Sequence, residues 1–330
     1  MTDLAQPQPV VRKDFAKAEG LFHALLPTSE LFPGSAAKEW VFRGQRDSTW
    51  RLVPTARRNK AESLAWADEA PTNRRQILRE VEEVFQFLTI ADQHGHALPE
   101  DSQKLREILR CLRTPPVRGH AAYAEHLKDW PTNEVLSLVG LAQHHGMQTS
   151  LLDWTWNPLC AAYFAASNAR KNCEQARKVG SKRSGGCLSV WALSTLTFSG
   201  SGIVPGTTTS DGVFKVLELV TVPTATNANL HAQEGLFVHV HQHSDFIDLD
   251  GKVNRDGLEL LIDSEQFKGG GRTLLYQLNL PVAEAPELLH LVGWLGASAG
   301  RFNPTLRGVV EELEERGLVD RKGRLQKHGA

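Results

Sequence analysis

Between Gln143 and Asn157 the chain concentrates groups that can do chemistry: Gln143, His144, His145, Thr149, Ser150, Asp153, Trp154, Thr155 and Trp156. The imidazoles could move protons near neutral pH. Asp153 could stabilise developing positive charge, the hydroxyls could bind polar ligand groups, and Trp154 or Trp156 could stack on a ring. Asn157 is a helix N-cap followed by Pro158 at the first helical position. The stretch from Gln143 to Asn157 reads as a loop by the positive end of a helix, where an anion is favoured. Upstream, Phe42-Arg43-Gly44-Gln45 ends an apolar run from Trp40. An arginine there can bind a phosphate bidentately, with Gly44 letting the phosphate close to the backbone and Gln45 beside it. Downstream, Asn229–Phe237 carries Gln233 and Glu234. Read as a strand, it turns adjacent side chains to opposite faces, so only one of that pair lines a site.

Each group also has a plain reading. Arg43 suits a buried ion pair, and His144 and His145 suit dipole chemistry at a helix C-terminus. Asp153 suits bonding to backbone N–H groups near a cap, and the tryptophans suit a core. His239, His241 and His243 alternate, with Asp245 beyond. On one face of a strand they have a spacing that zinc accepts, but alternation equally marks a solvent face, and no metal is expected. Nucleophile-elbow and phosphate-loop motifs are absent.

The elements that must position these groups follow from periodicity. A loose tail over 1–12 precedes a helix from Asp14 to Leu26, and Trp50 to Pro54 is extended. Helices fill 60–145. Arg75 to Asp92 presents Ile77, Leu78, Val81, Val84, Phe85 and Leu88 inward, with Arg79, Glu80, Glu82 and Glu83 read as its solvated face. Another helix, from Asn133 to His145, ends at Gly146. After the helix from Pro158 to about Arg170, residues 171–186 read as a flexible loop. Strands follow at 187–193, 216–222, 236–241 and 273–280, then a helix over 304–316 and a charged tail over 317–330. The fold class is α+β: a mixed or antiparallel sheet, with a helical insertion between the first and later strands, in one domain over 13–316. Net charge is −1 over 330 residues, so no global field selects nucleic acid or anionic membrane. Apolar runs are too short to span a membrane, Met1 to Val11 lacks an apolar signal region, and the four cysteines lack metal-like pairing. Those features imply a cytoplasmic protein with reduced thiols; oligomeric state stays open.

The motifs together resemble the FRG-domain family, whose Phe/Tyr-Arg-Gly motif is Phe42-Arg43-Gly44 here. The likeness continues through Trp50-x-Leu52-x-Pro54 with Arg57 or Arg58, and through Gln143-His144-His145-Gly146. It then takes in Thr149-x-Leu151-Leu152-Asp153-Trp154-Thr155 with Asn157-Pro158, and Gln233-x-Gly235-x-Phe237. Arg301 to Gly308 looks like the family's closing segment, so the likeness spans about 40–315. Ser150 stands where the family usually has arginine. A weaker likeness is to ADP-ribosyltransferases, with their arginine, hydroxyl-bearing strand and glutamate in that order, and Ala161-Ala162-Tyr163-Phe164 echoing their helix. That likeness implies an ADP-ribosyltransferase-like fold, NAD as substrate, and a toxin or defence role. Its target would be a protein or nucleic acid. It gives the phosphates to Arg43, the nicotinamide ribose to His144 or His145 with Thr149 and Ser150, and the electrostatic role to Glu234. The family match falls on Gln233 instead, which leaves Asp153 as the acid or the domain as a non-catalytic nucleotide- or protein-recognition module. A metal-dependent nuclease or phosphodiesterase using His145 and Asp153 is the third alternative.

Overall fold

A computed structural model describes residues 8–32, 39–58, 72–98, 100–114, 127, 130–178, 186–198, 203–209, 212–215, 217–224, 227–240, 249–253, 255–264, 267 and 271–318. Its chain runs β1 (Val10–Asp14), α1 (Ala18–Ala24), β2 (Trp40–Gln45), α2 (Asn73–Gln93), α3 (Gln103–Arg113), α4 (Leu136–His144), β3 (Leu151–Thr155) and α5 (Pro158–Lys178). It continues through β4 (Cys187–Ser194), β5 (Ile203–Thr209), β6 (Gly212–Lys215), β7 (Leu217–Val220), α6 (Ala228–Ala232), β8 (Gly235–Val240) and α7 (Leu258–Ile262). The last elements are β9 (Leu275–Pro281), α8 (Ala285–Trp294), α9 (Ala299–Phe302) and α10 (Leu306–Glu315). Seven strands form one mixed sheet in the order β1-β9-β4-β2-β3-β8-β7. Only β1 with β9 is parallel among these pairings. The expected α+β class holds, and α2, α3 and α4 are the expected insertion between β2 and β3.

Alternation along the strands assigns the two faces. Phe42, Val190 and Leu278 meet a small-residue stripe of α5 (Ala161, Ala162, Ala165, Ala166, Ala169), with Leu288 and Val292 of α8 beyond it. Leu151 and Phe237 pack with Val81, Val84, Leu88, Leu138 and Val139 of the insertion. The opposite face gathers Val41, Leu152, Trp154, Trp191 and Val238 over Leu52, Leu258 and Ile262. The alanine stripe brings α5 so near β2 that a Cβ at position 44 would overlap the Ala161 carbonyl oxygen and stand 2.8 Å from the Ala165 amide nitrogen.

Four expectations are corrected. The loose tail over 1–12 contains the start of β1, whose Val10 to Asp14 pair with Leu275 to Asn279. The helix expected to end near Arg170 continues to Lys178, so only 179–186 of the loop expected over 171–186 lies beyond it; residues 179–185 fall outside the described set. Leu151–Thr155, read as loop, is an interior strand paired along its whole length with β8. Glu80, read as solvated, is 2% exposed. It lies in the stripe of Ile77, Val81, Val84 and Leu88.

Gly44 is the position most exposed to this packing. Gly44→Ala should lower unfolding stability by about 3 kcal/mol, as overpacking against backbone that cannot yield does. In urea melts Gly293→Ala is the control, because nothing lies within 4 Å of a Cβ there. A Gly44→Ala midpoint equal to wild type would contradict this account of the motif.

Candidate functional site

Strand β3 holds the site because the sheet parts beside it. Strand β2 pairs with β4 from Trp40↔Ser194 to Gln45↔Ser189, and β3 pairs fully with β8, yet β2 and β3 share one register pair, Phe42↔Thr155. Beyond that pair they diverge, and the side of β3 facing β2 opens at Asp153. The burial pattern shows it: Leu151, Leu152, Trp154 and Thr155 are buried while Asp153 is exposed. A carboxylate exposed in the middle of an interior strand is the geometric signature of the cleft.

Arg43 spans the opening. Its Nη1 donates to the Asp153 carbonyl oxygen at 2.6 Å and reaches Asp153 Oδ2 at 3.5 Å. The Arg43 side chain is 13% exposed and that of Asp153 58%. Buried Arg43 Nε has no hydrogen-bond partner among the described residues. An ion pair this open contributes about 0–1 kcal/mol, while a buried donor without a partner costs on the order of 1–3 kcal/mol. On that balance the arrangement is not kept for stability. Arg58 converges on the same place: burial and then Arg43 push its guanidinium below the ordinary value, with Asp153 opposing. Its Nε donates to the Val53 carbonyl at 2.8 Å.

The other wall is the end of α4. Gly146, at φ +94°, closes the helix with Met147 N donating to Ala142 O at 3.0 Å and Gly146 N to Gln143 O at 2.8 Å, the bond pair of a Schellman cap. That fixes Gln143 one turn from the cleft, where its Nε2 donates to Asp153 Oδ1 at 2.5 Å. Thr149 Oγ1 donates to Gln143 Oε1. The Thr149 carbonyl accepts from Ala56 N at 3.2 Å and from Thr55 Oγ1 at 3.5 Å. A continuous polar chain thus runs from 55–56 through Thr149 and Gln143 to Asp153 and Arg43. Half-buried His144 borders it. Burial and then the neighbouring His145 hold its imidazole below the ordinary 6.5, with Asp153 opposing. His145 is exposed, its ring centroid 5.5 Å from that of His144.

Beneath lies a residue that sequence reasoning dismissed. Glu80 Oε1 accepts the Ser150 amide at 2.6 Å. Burial raises its carboxyl, while the Ser150 amide and then Arg57 oppose the rise. Burial pushes Arg57 down to about 10, with Glu80 opposing. The available signal was position: a carboxylate inside an apolar helical stripe.

The remaining expected site residues lie elsewhere or serve structure. Gly44 makes room for α5, not for a ligand. Gln45 is buried and accepts from Trp191 Nε1 at 2.8 Å. Trp154 is 3% exposed within the core, so it offers no stacking face. Ser150 is buried, and its link is the backbone bond to Glu80. Gln233 and Glu234 are not on a strand: α6 ends before them, and Glu234 takes φ +49° ahead of β8. Gln233 Nε2 donates to the Phe302 carbonyl at 2.9 Å. Glu234 Oε1 accepts from Asn157 Nδ2 at 2.9 Å, past the Thr155 end of β3. Asn157 caps α5 as expected, its Oδ1 accepting from Leu159 N at 3.0 Å. Glu234 therefore supports the turn before α5 and is not bonded to the Arg43 cluster. His239 is buried on β8, and His241, His243 and Asp245 lie outside the described residues. Among the described residues no group of three metal-ligating side chains forms, and no helix is long and apolar enough to cross a membrane.

The His144 environment gives a pH expectation. In an NMR titration its imidazole should titrate below 6.5, and lower still in Asp153→Asn, where the opposing carboxylate is gone. A depressed folded value means the stability His144 contributes is complete above pH 6.5 and is lost as pH falls through that lower value. A midpoint at or above 6.5 would contradict the geometry.

Residues 38–174 match the family model described as FRG domain. The match covers β2, the insertion, β3 and most of α5, and hence the whole Arg43–Asp153 cleft. Gln233-x-Gly235-x-Phe237 and the segment from Arg301 lie outside it, so the match is shorter than the expected span. No curated protein and no solved structure matches the chain.

Proposed function

The chain carries an FRG domain over residues 38–174, and from that premise we propose that its cleft binds a nucleotide and acts on NAD, transferring ADP-ribose or hydrolysing the bond to nicotinamide. The observation that carries the reading is the parted sheet, where an exposed carboxylate meets two arginines. Guanidinium groups recognise a diphosphate by paired charge-assisted hydrogen bonds, and Arg43 and Arg58 converge where such a group would enter. Heterolysis of the glycosidic bond returns the electron pair to the nicotinamide nitrogen and leaves positive charge on the ribose. Asp153 is the carboxylate placed to stabilise that charge. Capture by water, with loss of a proton, completes hydrolysis; capture by a target nucleophile completes transfer. Neutral His144 is an acceptor for a ribose hydroxyl, and Gln143 holds Asp153 in orientation.

One observation favours a second reading. Asp153 is already engaged by Gln143 and Arg43, and Glu234 is committed to Asn157. A cleft whose carboxylate stays bound to its own donors suits a recognition module that holds a nucleotide without turning it over.

Nicotinamide release from NAD by the purified protein separates these readings. Turnover should fall about 100-fold in Asp153→Asn, the scale of losing one preorganised electrostatic group, and at least as far in Arg43→Ala. Release by Arg43→Ala at the wild-type rate would overturn the proposal. NAD binding without release by wild type would establish the recognition module instead.

A further inference from the structure

Glu80 is outside every motif that first pointed to the site, yet it is bonded to one of the loops that frame it and lies beside the other. Its Oε1 takes the Ser150 amide at 2.6 Å, at the point where the chain enters β3 two residues before Leu152 and three before Asp153. The Arg57 guanidinium is near enough to act on it electrostatically, and the neighbouring Arg58 is within the electrostatic reach of Arg43 and Asp153. The Ala56 amide, from the same turn, donates to the Thr149 carbonyl. The carboxylate thus stands where the turn at 55–58 meets the segment at 149–150.

We propose that Glu80 is the positioning residue of the cleft, through which the inserted helix α2 sets the spacing of Arg58 from Asp153. This rests on the reading of the cleft as a nucleotide site.

The choice of residue supports it. Ile77, Val81, Val84 and Leu88 make an apolar stripe around position 80, and buried ion pairs are frequently matched or exceeded in stability by well-packed apolar replacements. A carboxylate kept in such a stripe holds geometry more than it adds stability. Ser150, which it bonds, and Arg57, which it meets electrostatically, are the neighbours in sequence of Thr149 and Arg58 of the cleft. The same link explains how the insertion, separated in sequence from every other site residue except those at its own end, bears on the ligand: a change in α2 moves Arg58 and Asp153 together.

Residue-resolved hydrogen exchange of the ligand-free protein tests the link, and an ADP titration tests its consequence. In Glu80→Gln the Ala56 and Ser150 amides should exchange faster together, by about 10-fold, the loss of one hydrogen bond to a charged group. Strand amides of Val190 and Ala192 should keep their wild-type rates. ADP affinity should fall by about 10-fold. Glu80→Asp, which keeps the charge, should recover part of both effects, and it serves as the test variant if Glu80→Gln does not fold. Ala56 exchange at the wild-type rate, or β4 amides rising in step with it, would overturn the proposal. Wild-type ADP affinity in a variant with a loosened 55–58 turn would overturn it as well. A wild-type protein that binds neither ADP nor NAD would defeat the nucleotide reading separately, and the exchange data would still decide whether Glu80 joins the two loops.

Discussion

The guanidinium of Arg43 lies across the gap between β2 and β3, bonded to the backbone and close to the carboxylate of Asp153. Much of the surrounding structure serves to keep that gap open and lined. The strands are joined only at Phe42↔Thr155; a fully paired β2–β3 ladder would close the gap in which Arg43 reaches the Asp153 carbonyl. Two packing features hold the outer sides of the opening. Helix α5 clamps β2 through Gly44 and the alanine stripe, and β8 pairs along all of β3. Between these rigid flanks, polar side chains rather than ladder hydrogen bonds span the opening.

Electrostatics explains why that polar set is arranged as a chain. Burial first, and then repulsion from the nearby Arg43 guanidinium, depress Arg58. One exposed carboxylate offsets part of that repulsion in the ligand-free state, and an anionic ligand would offset more. The cleft is therefore built with an excess of positive charge at its centre, although the protein as a whole carries a net charge of −1. Local charge, not the global field, is what a diphosphate would meet, and water screening in so open a site leaves affinity to depend on paired hydrogen bonds as much as on charge.

Much of this was legible from residues. The Gln143–Gly146 helix end, the Asn157-Pro158 helix start and the Arg43 strand follow from local rules of capping and periodicity, and all three stand. What was hidden depended on tertiary context. Leu151–Thr155 is too short, and too uniformly apolar apart from Asp153 and Thr155, for periodicity to separate strand from loop. Val10–Asp14 carries Arg12, Lys13 and Asp14 as an edge strand does, which reads as polar tail. Glu80 could be found only by asking why a charge sits in an apolar stripe. Gly44 could not be divided in advance between room for a ligand and room for a helix. Gln233 and Glu234 were misassigned because strand alternation was applied to a helix end and a left-handed residue that precede β8.

The central claim is that Arg43 and Arg58 act together on one phosphate-bearing ligand beside Asp153. Its most direct test is arginine side-chain NMR, following the Nε–H resonances while ADP-ribose is added. The account predicts that Arg43 and Arg58 shift along one saturable curve, while Arg51 and Arg106, bonded to Glu259 and to Asp92 and Asp101, stay still. Saturable binding that leaves Arg43 unmoved would contradict it, as would the absence of saturable binding.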